Sequence, residues 1–256
     1  MFAPEFALEG GGFRPEYFRE LAELEENNFW FKARNKLIIW AIKQFFPHQQ
    51  SYLEIGCGTG FVLRGVAESF PEARLTGSEI FSTGIPYASN RVPQADLIQM
   101  DARAIPYKEH FDLVGAFDVL EHIEEDDEVL SQVYKATRPQ GGLMLTVPQH
   151  PWLWSQQDEH ACHVRRYTRN ELRHKVQMAG FEVLYQSSFV SLLLPLMWLS
   201  RRFGTVSKDP SQLSELRIGK FLNAALSQAM ALEALAIRAG LRFPAGGSLL
   251  LVARKN

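Results

Sequence analysis

Two parts of the chain carry the groups that could do chemistry, a glycine loop with two acids downstream and a histidine-rich loop. In Leu53-Glu54-Ile55-Gly56-Cys57-Gly58-Thr59-Gly60-Phe61, three glycines follow a short apolar run and precede a helical stretch. A ligand's backbone or phosphate comes close to a chain only where no Cβ intervenes, which is what such a turn offers. The spacing is G-x-G-x-G, with Phe61 where a dinucleotide fingerprint needs its third glycine, so NAD and FAD are disfavoured. Glu79, roughly 20 residues further on, stands where a carboxylate can accept hydrogen bonds from both hydroxyls of a ribose. Asp101, in Met100-Asp101-Ala102, could accept from an adenine amino group. Each has a plainer alternative: a structural βα turn, a solvated acid and a helix N-cap. The second part, from Pro148 to Tyr167, is loop-like, rich in aromatics and holds His150, His160 and His163. A neutral histidine near pH 7 suits general-base work.

These groups are positioned by an alternation of β-rich apolar runs and helical stretches over about 51–188, which predicts an α/β, Rossmann-like doubly wound parallel sheet. The strands are expected at 51–55, 74–78, 96–99, 112–117, 143–147 and 181–185. Glu79, Asp101 and the glycine loop then fall at the carboxyl ends of consecutive strands, the edge where open α/β sheets bind ligands. Thr168 with Glu171 forms a capping box, and Gly180 ends that helix before the sixth strand. Upstream, helices are expected from Pro15 to about Glu26 and from about Phe31 to Phe46. Residues 1–48 read as an N-terminal helical cap, and 49–188 with 247–256 as the ligand-binding domain. A seventh strand, 247–254, arrives about 60 residues after the sixth, leaving 189–246 as a helical insert. It holds an apolar run at 189–199, a polar break with Arg201, Arg202, Lys208, Asp209 and Pro210, and a helix from about Gln212 to Ala239.

Composition narrows the classes. The 256 residues carry 27 basic and 29 acidic side chains, a formal charge of -2, which argues against nucleic-acid binding through a basic surface. Two cysteines, Cys57 and Cys162, build no disulfide framework, and Met1-Phe2-Ala3-Pro4-Glu5 lacks a secretory n-region, so a cytoplasmic setting is expected, with membrane association through the insert left open. The run at 189–199 is well short of the ~20 residues that span a bilayer.

With these residues in place, the chain resembles the class I S-adenosylmethionine-dependent methyltransferases, specifically the bacterial type 11 set. The likeness rests on Leu53 to Gly60, on Glu79, on Asp101-Ala102, on Phe111-Asp112-Leu113-Val114, on Asp118-Val119-Leu120-Glu121-His122-Ile123 and on Arg138-Pro139-Gln140-Gly141-Gly142. It implies a seven-stranded sheet with an antiparallel last strand and S-adenosyl-L-methionine as cofactor, leaving as S-adenosyl-L-homocysteine. The cofactor residues it implies are Glu54, Gly56, Cys57, Gly58, Gly60, Glu79, Ile80, Asp101, Ala102 and Phe117, with Arg34 as a further contact to the cofactor carboxylate or else a helix-surface arginine.

Methyl transfer needs mainly alignment and exclusion of water. Where the acceptor is a hydroxyl or an acidic carbon, His150 is the first candidate base, with His163 and Tyr167 of the same loop as further catalytic candidates. Arg165 and Arg166 either hold an anionic acceptor or pin the loop to Asp158 or Glu159. No metal is expected: His160, Cys162 and His163 lack a zinc spacing, and although the resemblance allows Glu121 with His122 to bind a divalent cation, as such a pair does in some relatives, Glu121 to Glu128 reads rather as a solvated helix start. Because the sixth strand ends and the seventh begins on the ligand side, the insert should overhang the site. Its run at 189–202 either touches a membrane surface with Arg201 and Arg202 at the headgroups, or packs against the Leu222, Leu226, Met230 and Leu235 face or a second subunit. The expected activity is methyl transfer to a small-molecule or lipid-linked acceptor, oxygen favoured, with a non-catalytic cofactor-binding or membrane-docking module as the alternative.

Overall fold

The computed structural model describes residues 1–7, 17–203 and 217–256. The strands are β1 (Ser51–Ile55), β2 (Arg74–Glu79), β3 (Asp96–Gln99), β4 (Phe111–Phe117), β5 (Thr137–Pro148), β6 (Phe181–Phe189) and β7 (Ser248–Lys255), with runs such as Leu249 to Val252 buried throughout. They form one sheet in the order β3-β2-β1-β4-β5-β7-β6. The neighbours from β3 to β5 pair parallel, and β7 runs antiparallel to both β5 and β6. The expected Rossmann-like sheet with its antiparallel last strand is what the chain adopts.

Both faces are covered, so strand residues of opposite parity enter two cores. Leu53, Ile55, Val114, Leu143 and Leu145 meet α5 (Asp126–Ala136) and α7 (Arg169–Met178) on one face. Tyr52, Leu113, Met144 and Val252 meet α2 (Phe29–Phe45) and α3 (Phe61–Ser69) on the other. Local signals set the helix ends. The Asn28 side chain accepts from the Trp30 N–H at 2.8 Å and starts α2. The Thr168–Glu171 capping box starts α7, and Gly180, at φ +104°, follows its end.

Ahead of α2 lies α1 (Phe18–Glu25), and α4 (Ile85–Arg91) links β2 to β3. The short α6 (Gln156–His160) interrupts the loop between β5 and α7. Between β6 and β7 stand α8 (Leu194–Phe203) and α9 (Lys220–Arg238). The predicted helix starts at Pro15 and Gln212, and the break at Lys208, Asp209 and Pro210, lie outside the described residues. α9 packs along α2, not as a hairpin on α8. Asn223 fixes that pairing: its Oδ1 accepts from the Phe29 N–H at 2.8 Å, and its amide donates to the Asn27 carbonyl at 2.9 Å. Of the apolar face expected on this helix, Met230 is buried while Leu222 and Leu235 stay exposed. No helix among the described residues is long and apolar enough to cross a membrane.

Candidate active site

The carboxyl ends of β1, β2, β3 and β4 open into a cavity of about 1090 Å³, walled on its other sides by α1, α2 and the insert. Gly56, Gly58 and Gly60 all have positive φ, at +63°, +54° and +78°, a backbone region that side chains with a Cβ avoid. Their surroundings differ. A Cβ on Gly56 would sit 2.6 Å from Val119 Cγ2, and one on Gly60 would sit 2.9 Å from Ala88 Cα, so these two allow protein to pack on protein. A Cβ on Gly58 would meet only the Phe18 ring at 3.9 Å, and Gly58 lines the cavity. It is therefore the glycine that opens room for a ligand.

Glu79, at the end of β2, braces this loop. Its Oε2 accepts from the Gly58 N–H at 2.9 Å, and Oε1 from those of Ile80 (2.9 Å) and Phe81 (3.2 Å). A carboxylate has about four acceptor sites, so room remains for ligand hydroxyls. Burial pushes its pKa up against the pull of those backbone donors. Asp101 and Ala102 also line the cavity, but both Asp101 oxygens bind the Arg103 guanidinium, at 2.8 to 3.1 Å. An adenine amino group would meet a carboxylate that is already partnered. Ile80, Glu54, Cys57 and Phe117 line the cavity as well, and Gly60 does not. Cys57 takes part through its backbone, its N–H donating to the Ser78 carbonyl at 2.9 Å, and burial pushes its thiol pKa well up.

A chain of buried charge lies under the cavity. Arg34, 8% exposed, lies over the Trp30 ring and binds the Asp118 carboxylate. Burial lowers its pKa to about 10. Its Nε is buried without a partner, and the residue lines the cavity, so of the two readings of Arg34 the ligand-facing one fits better. Glu54 is fully desolvated, and burial raises its carboxyl to about 8 against the pull of its Tyr52 hydrogen bond (3.0 Å) and of Arg34. Glu25 accepts from Thr59 Oγ1 and from Arg91, tying α1 to the glycine loop. Nothing in the sequence marks Glu25, whose partners are far off along the chain.

The three candidate bases separate. His163 lines the cavity, with Nδ1 2.9 Å from Asp158 Oδ1. His150 does not line it; its ring stacks on Trp152 with centroids 4.9 Å apart. Tyr167 is fully buried away from it, donating to Asp126 Oδ2 at 2.7 Å, and burial and that carboxylate push its pKa far up. Of the three only His163 lines the cavity, since His150 is stacked outside it and Tyr167 is a buried strut. Arg166 pins the loop, donating to Asp158 Oδ1 at 2.6 Å and to the Gln149 carbonyl at 2.9 Å, while Arg165 binds Asp126 at 2.7 Å. Both guanidiniums are engaged within the protein, Arg166 on Asp158 and Arg165 on Asp126. Burial opposes the effect, yet His163, Arg166 and Arg201 hold the Asp158 carboxyl at about 2.

Glu121 departs from the expected solvated helix start. It lies in the one-turn 3-10 segment Leu120–His122, ahead of α5, and is 1% exposed. Burial raises its carboxyl to about 8. From the insert, Leu193, Leu196, Met197, Leu222 and Leu226 line the cavity opposite the glycine loop. Arg201 turns inward to the Leu153 carbonyl and lies 3.5 Å from Asp158, so it is not placed to meet headgroups.

Residues 17–186 match the family described as "Methyltransferase domain". A relative from Mycolicibacterium smegmatis, described as a probable S-adenosylmethionine-dependent methyltransferase, is 25% identical over 171 residues, 64% of each chain. A malonyl-[acyl-carrier protein] O-methyltransferase of Priestia megaterium is 26% identical over 114 residues, 44% of this chain and 42% of that one. This chain thus spans less than two thirds of the curated relatives' length. In backbone shape it is similar to a putative methyltransferase solved in complex with the Haloferax volcanii Trm112 activator, with TM-score 0.63, 15% identity, and 93% and 96% of the two chains covered. That likeness speaks for the fold alone. On the family match, with the glycine loop and Glu79 at the switch of an order 3-2-1-4-5-7-6 sheet, the chain belongs to the methyltransferase-domain family of class I S-adenosylmethionine-dependent methyltransferases.

Proposed function

We propose that this chain moves the methyl group of S-adenosylmethionine to an oxygen of an acceptor with an apolar body, either a small molecule or a lipid-linked one. The observation that carries this reading is the division of the cavity, with a polar glycine-loop end and an apolar end made by the insert. Its volume of about 1090 Å³ lies at the upper end of small-molecule sites, enough for cofactor and acceptor side by side. The residues fit the cofactor, because the space a Cβ on Gly58 would fill is open and Glu79 retains acceptor capacity beside it. When bound, S-adenosylmethionine supplies a methyl group already activated on a sulfonium.

The protein's part is then alignment and exclusion of water. Gly58 allows close approach, Glu79 takes the ribose hydroxyls, and Arg34, lining the cavity with its Nε unpartnered, is available to the cofactor carboxylate. Phe18, Phe29, Phe31 and Phe61 shield the loop from solvent. The insert, residues 189–246, acts as the acceptor-selecting cap over 49–188 and 247–256, with Leu196, Met197 and Leu226 against the acceptor's apolar body. The Priestia relative is named as an O-methyltransferase of malonyl-[acyl-carrier protein], which favours oxygen as the acceptor atom.

A surface observation favours membrane contact by the same insert. Leu192, Leu196, Trp198 and Leu199 of the α8 region are about half exposed, and Phe221 on α9 is 95% exposed. Arg202, exposed, is left as the cation for anionic headgroups.

The test is incubation of the purified chain with methyl-tritiated S-adenosylmethionine and fractionated cell extract, counting organic and aqueous phases against a no-enzyme control. Enzyme-dependent label in the organic phase is the expected result. Label confined to the aqueous phase removes the lipid-linked acceptor, and no label despite measured cofactor binding leaves the non-catalytic module standing.

A further inference from the structure

Glu121, His122 and His163 bring one ligand atom each to within 4.8 Å of one another, and all three line the cavity. Two of them are adjacent in the 3-10 segment Leu120–His122, and the third comes from the loop after α6, some forty residues later. The Val164 N–H donates to the Glu121 carbonyl at 2.7 Å and holds the two pieces together. Both carboxylate oxygens of Glu121 and Nδ1 of His122 are buried without a hydrogen-bond partner. Buried polar atoms are almost always satisfied, and three orphans within one such trio ask for a group that would satisfy them. His163 is prepared differently: Asp158 Oδ1 holds its Nδ1 at 2.9 Å, which leaves Nε2 as the free ring nitrogen. A carboxylate on the far side of a histidine ring is the arrangement that orients metal-binding histidines. Asp158 is itself fixed by Arg166 at 2.6 Å and by the Ser155 N–H at 2.9 Å.

We propose that Glu121, His122 and His163 bind one divalent transition-metal ion on the acceptor side of the cavity. Two imidazoles and a carboxylate suit borderline ions such as Zn²⁺, Mn²⁺, Fe²⁺ or Co²⁺ better than Mg²⁺ or Ca²⁺, which prefer oxygen throughout. Metal bonds of about 2.0–2.2 Å put ligand atoms no more than about 4.4 Å apart, so the trio needs only slight closing. Three protein ligands leave open coordination positions, as in metal sites that bind a reacting group. The open side faces the cavity, so the ion's ligand there is an oxygen of the acceptor. The pKa of a bound hydroxyl falls beside the cation, and its proton passes to solvent before methyl transfer. His163 is then a ligand and not a general base. The role toward the acceptor rests on the methyltransferase reading; the metal binding does not.

The experiment uses the full chain stripped with a chelator and then dialysed against Co²⁺ or Zn²⁺. Bound metal is counted by elemental analysis, and Co²⁺ is also followed by its visible absorption. One equivalent per chain is expected. His163→Ala should weaken affinity by more than the roughly 10–100-fold that loss of an outer-shell partner brings. Glu121→Gln, which keeps the side-chain shape, serves as the second variant should the alanine change disturb folding, and it should weaken binding too. No stoichiometric metal in the wild type, or affinity unchanged in both variants, would overturn the proposal. S-adenosylmethionine titration of the stripped protein is read separately: binding there with no metal uptake removes only the metal site, and metal uptake with no cofactor binding removes only the methyltransferase reading.

Discussion

Substituting alanine at Gly56, Gly58 and Gly60 in turn separates ligand binding from packing within one loop. All three hold positive φ, so each substitution carries about 1–2 kcal/mol of backbone strain. At Gly58 little else is added to the folding cost, because the new methyl would meet only the Phe18 ring at 3.9 Å. Gly56→Ala drives a methyl to 2.6 Å from Val119 Cγ2, and Gly60→Ala to 2.9 Å from Ala88 Cα, overpacking that costs about 1–3 kcal/mol more. The melting temperature should fall by about 2–8 °C for Gly58→Ala and by about 4–20 °C for the other two, at roughly 2–4 °C per kcal/mol for a chain of this size.

Cofactor binding reverses the ranking. In the wild type, S-adenosylmethionine at about 100 times its Kd adds ~2.7 kcal/mol, or roughly 5–11 °C. The Gly58→Ala methyl occupies the space left for the ligand, and an overpacking cost of about 1–3 kcal/mol lowers affinity about 5–150-fold. Thermal-shift titration with calorimetry reads both quantities on each variant. Wild-type cofactor protection in Gly58→Ala would refute the assignment of this glycine to the ligand. Equal stability of all three variants would refute the packing argument.

Three further outcomes follow from the buried charges and the insert. Glu54, raised to about 8 by burial, is mostly protonated at pH 7, and a cationic cofactor beside it favours the carboxylate; binding should therefore release roughly one proton at pH 6–7.5 and none above pH 9. Calorimetry in buffers of different ionisation enthalpy reads this, and Glu54→Gln should abolish it; a buffer-independent enthalpy at pH 7 would remove the idea. Asp126 lies below the ordinary aspartate range despite burial, held there by Tyr167, Lys175 and Arg165. A carboxyl depressed in the folded state stabilises above its unfolded value of about 3.9 and loses that stability as pH falls through the folded one. Asp126→Asn should therefore flatten the acid limb of the urea-midpoint profile between about pH 4 and pH 2, and an unchanged slope counts against this ion cluster. Finally, Leu199→Ala with Phe221→Ala removes exposed apolar surface and should cut sedimentation with anionic vesicles about 10-fold or more, leaving the melting temperature within a few degrees. Undiminished vesicle binding would place the contact elsewhere.

The sheet was legible because apolar runs such as those of β1, β4 and β7 recur between helical stretches along the chain. Where strand limits differ, pairing explains it. β5 begins at Thr137 instead of 143 because Thr137 pairs with Phe111 across a register shift, and β6 runs on to Phe189 because Ser188 and Phe189 keep partners in β7. The glycine loop and Glu79 were legible because neighbouring strand ends bring them together. Glu25 was not: its partners Thr59 and Arg91 stand 34 and 66 residues away, and nothing local marks an acid on α1 as buried. Glu121 opens a run of acids that reads as solvated surface, yet the helix starts only at Asp126, so the acids from Asp126 onward meet its dipole while Glu121 is folded under.

In the histidine-rich loop, side-chain partners and not residue type decide which groups reach the cavity. His150, His163 and Tyr167 were all plausible proton acceptors by chemistry, but one buried carboxylate sorts the loop. Asp158 closes the capping box of α6 with Ser155, holds Arg166, and takes Nδ1 of His163. Each bond turns a chain segment: the first fixes α6, the second draws the following strand of loop inward, and the third aims the His163 ring at Glu121 and His122. The Tyr167 N–H, next in sequence, donates to the Pro148 carbonyl at 2.9 Å, and its side chain is directed down to Asp126. A single acid at a helix N-terminus thus decides which of three candidates reaches the cavity. Removing it as Asp158→Asn should cost His163 its orientation while leaving the glycine loop, on the far side of the sheet edge, able to bind cofactor.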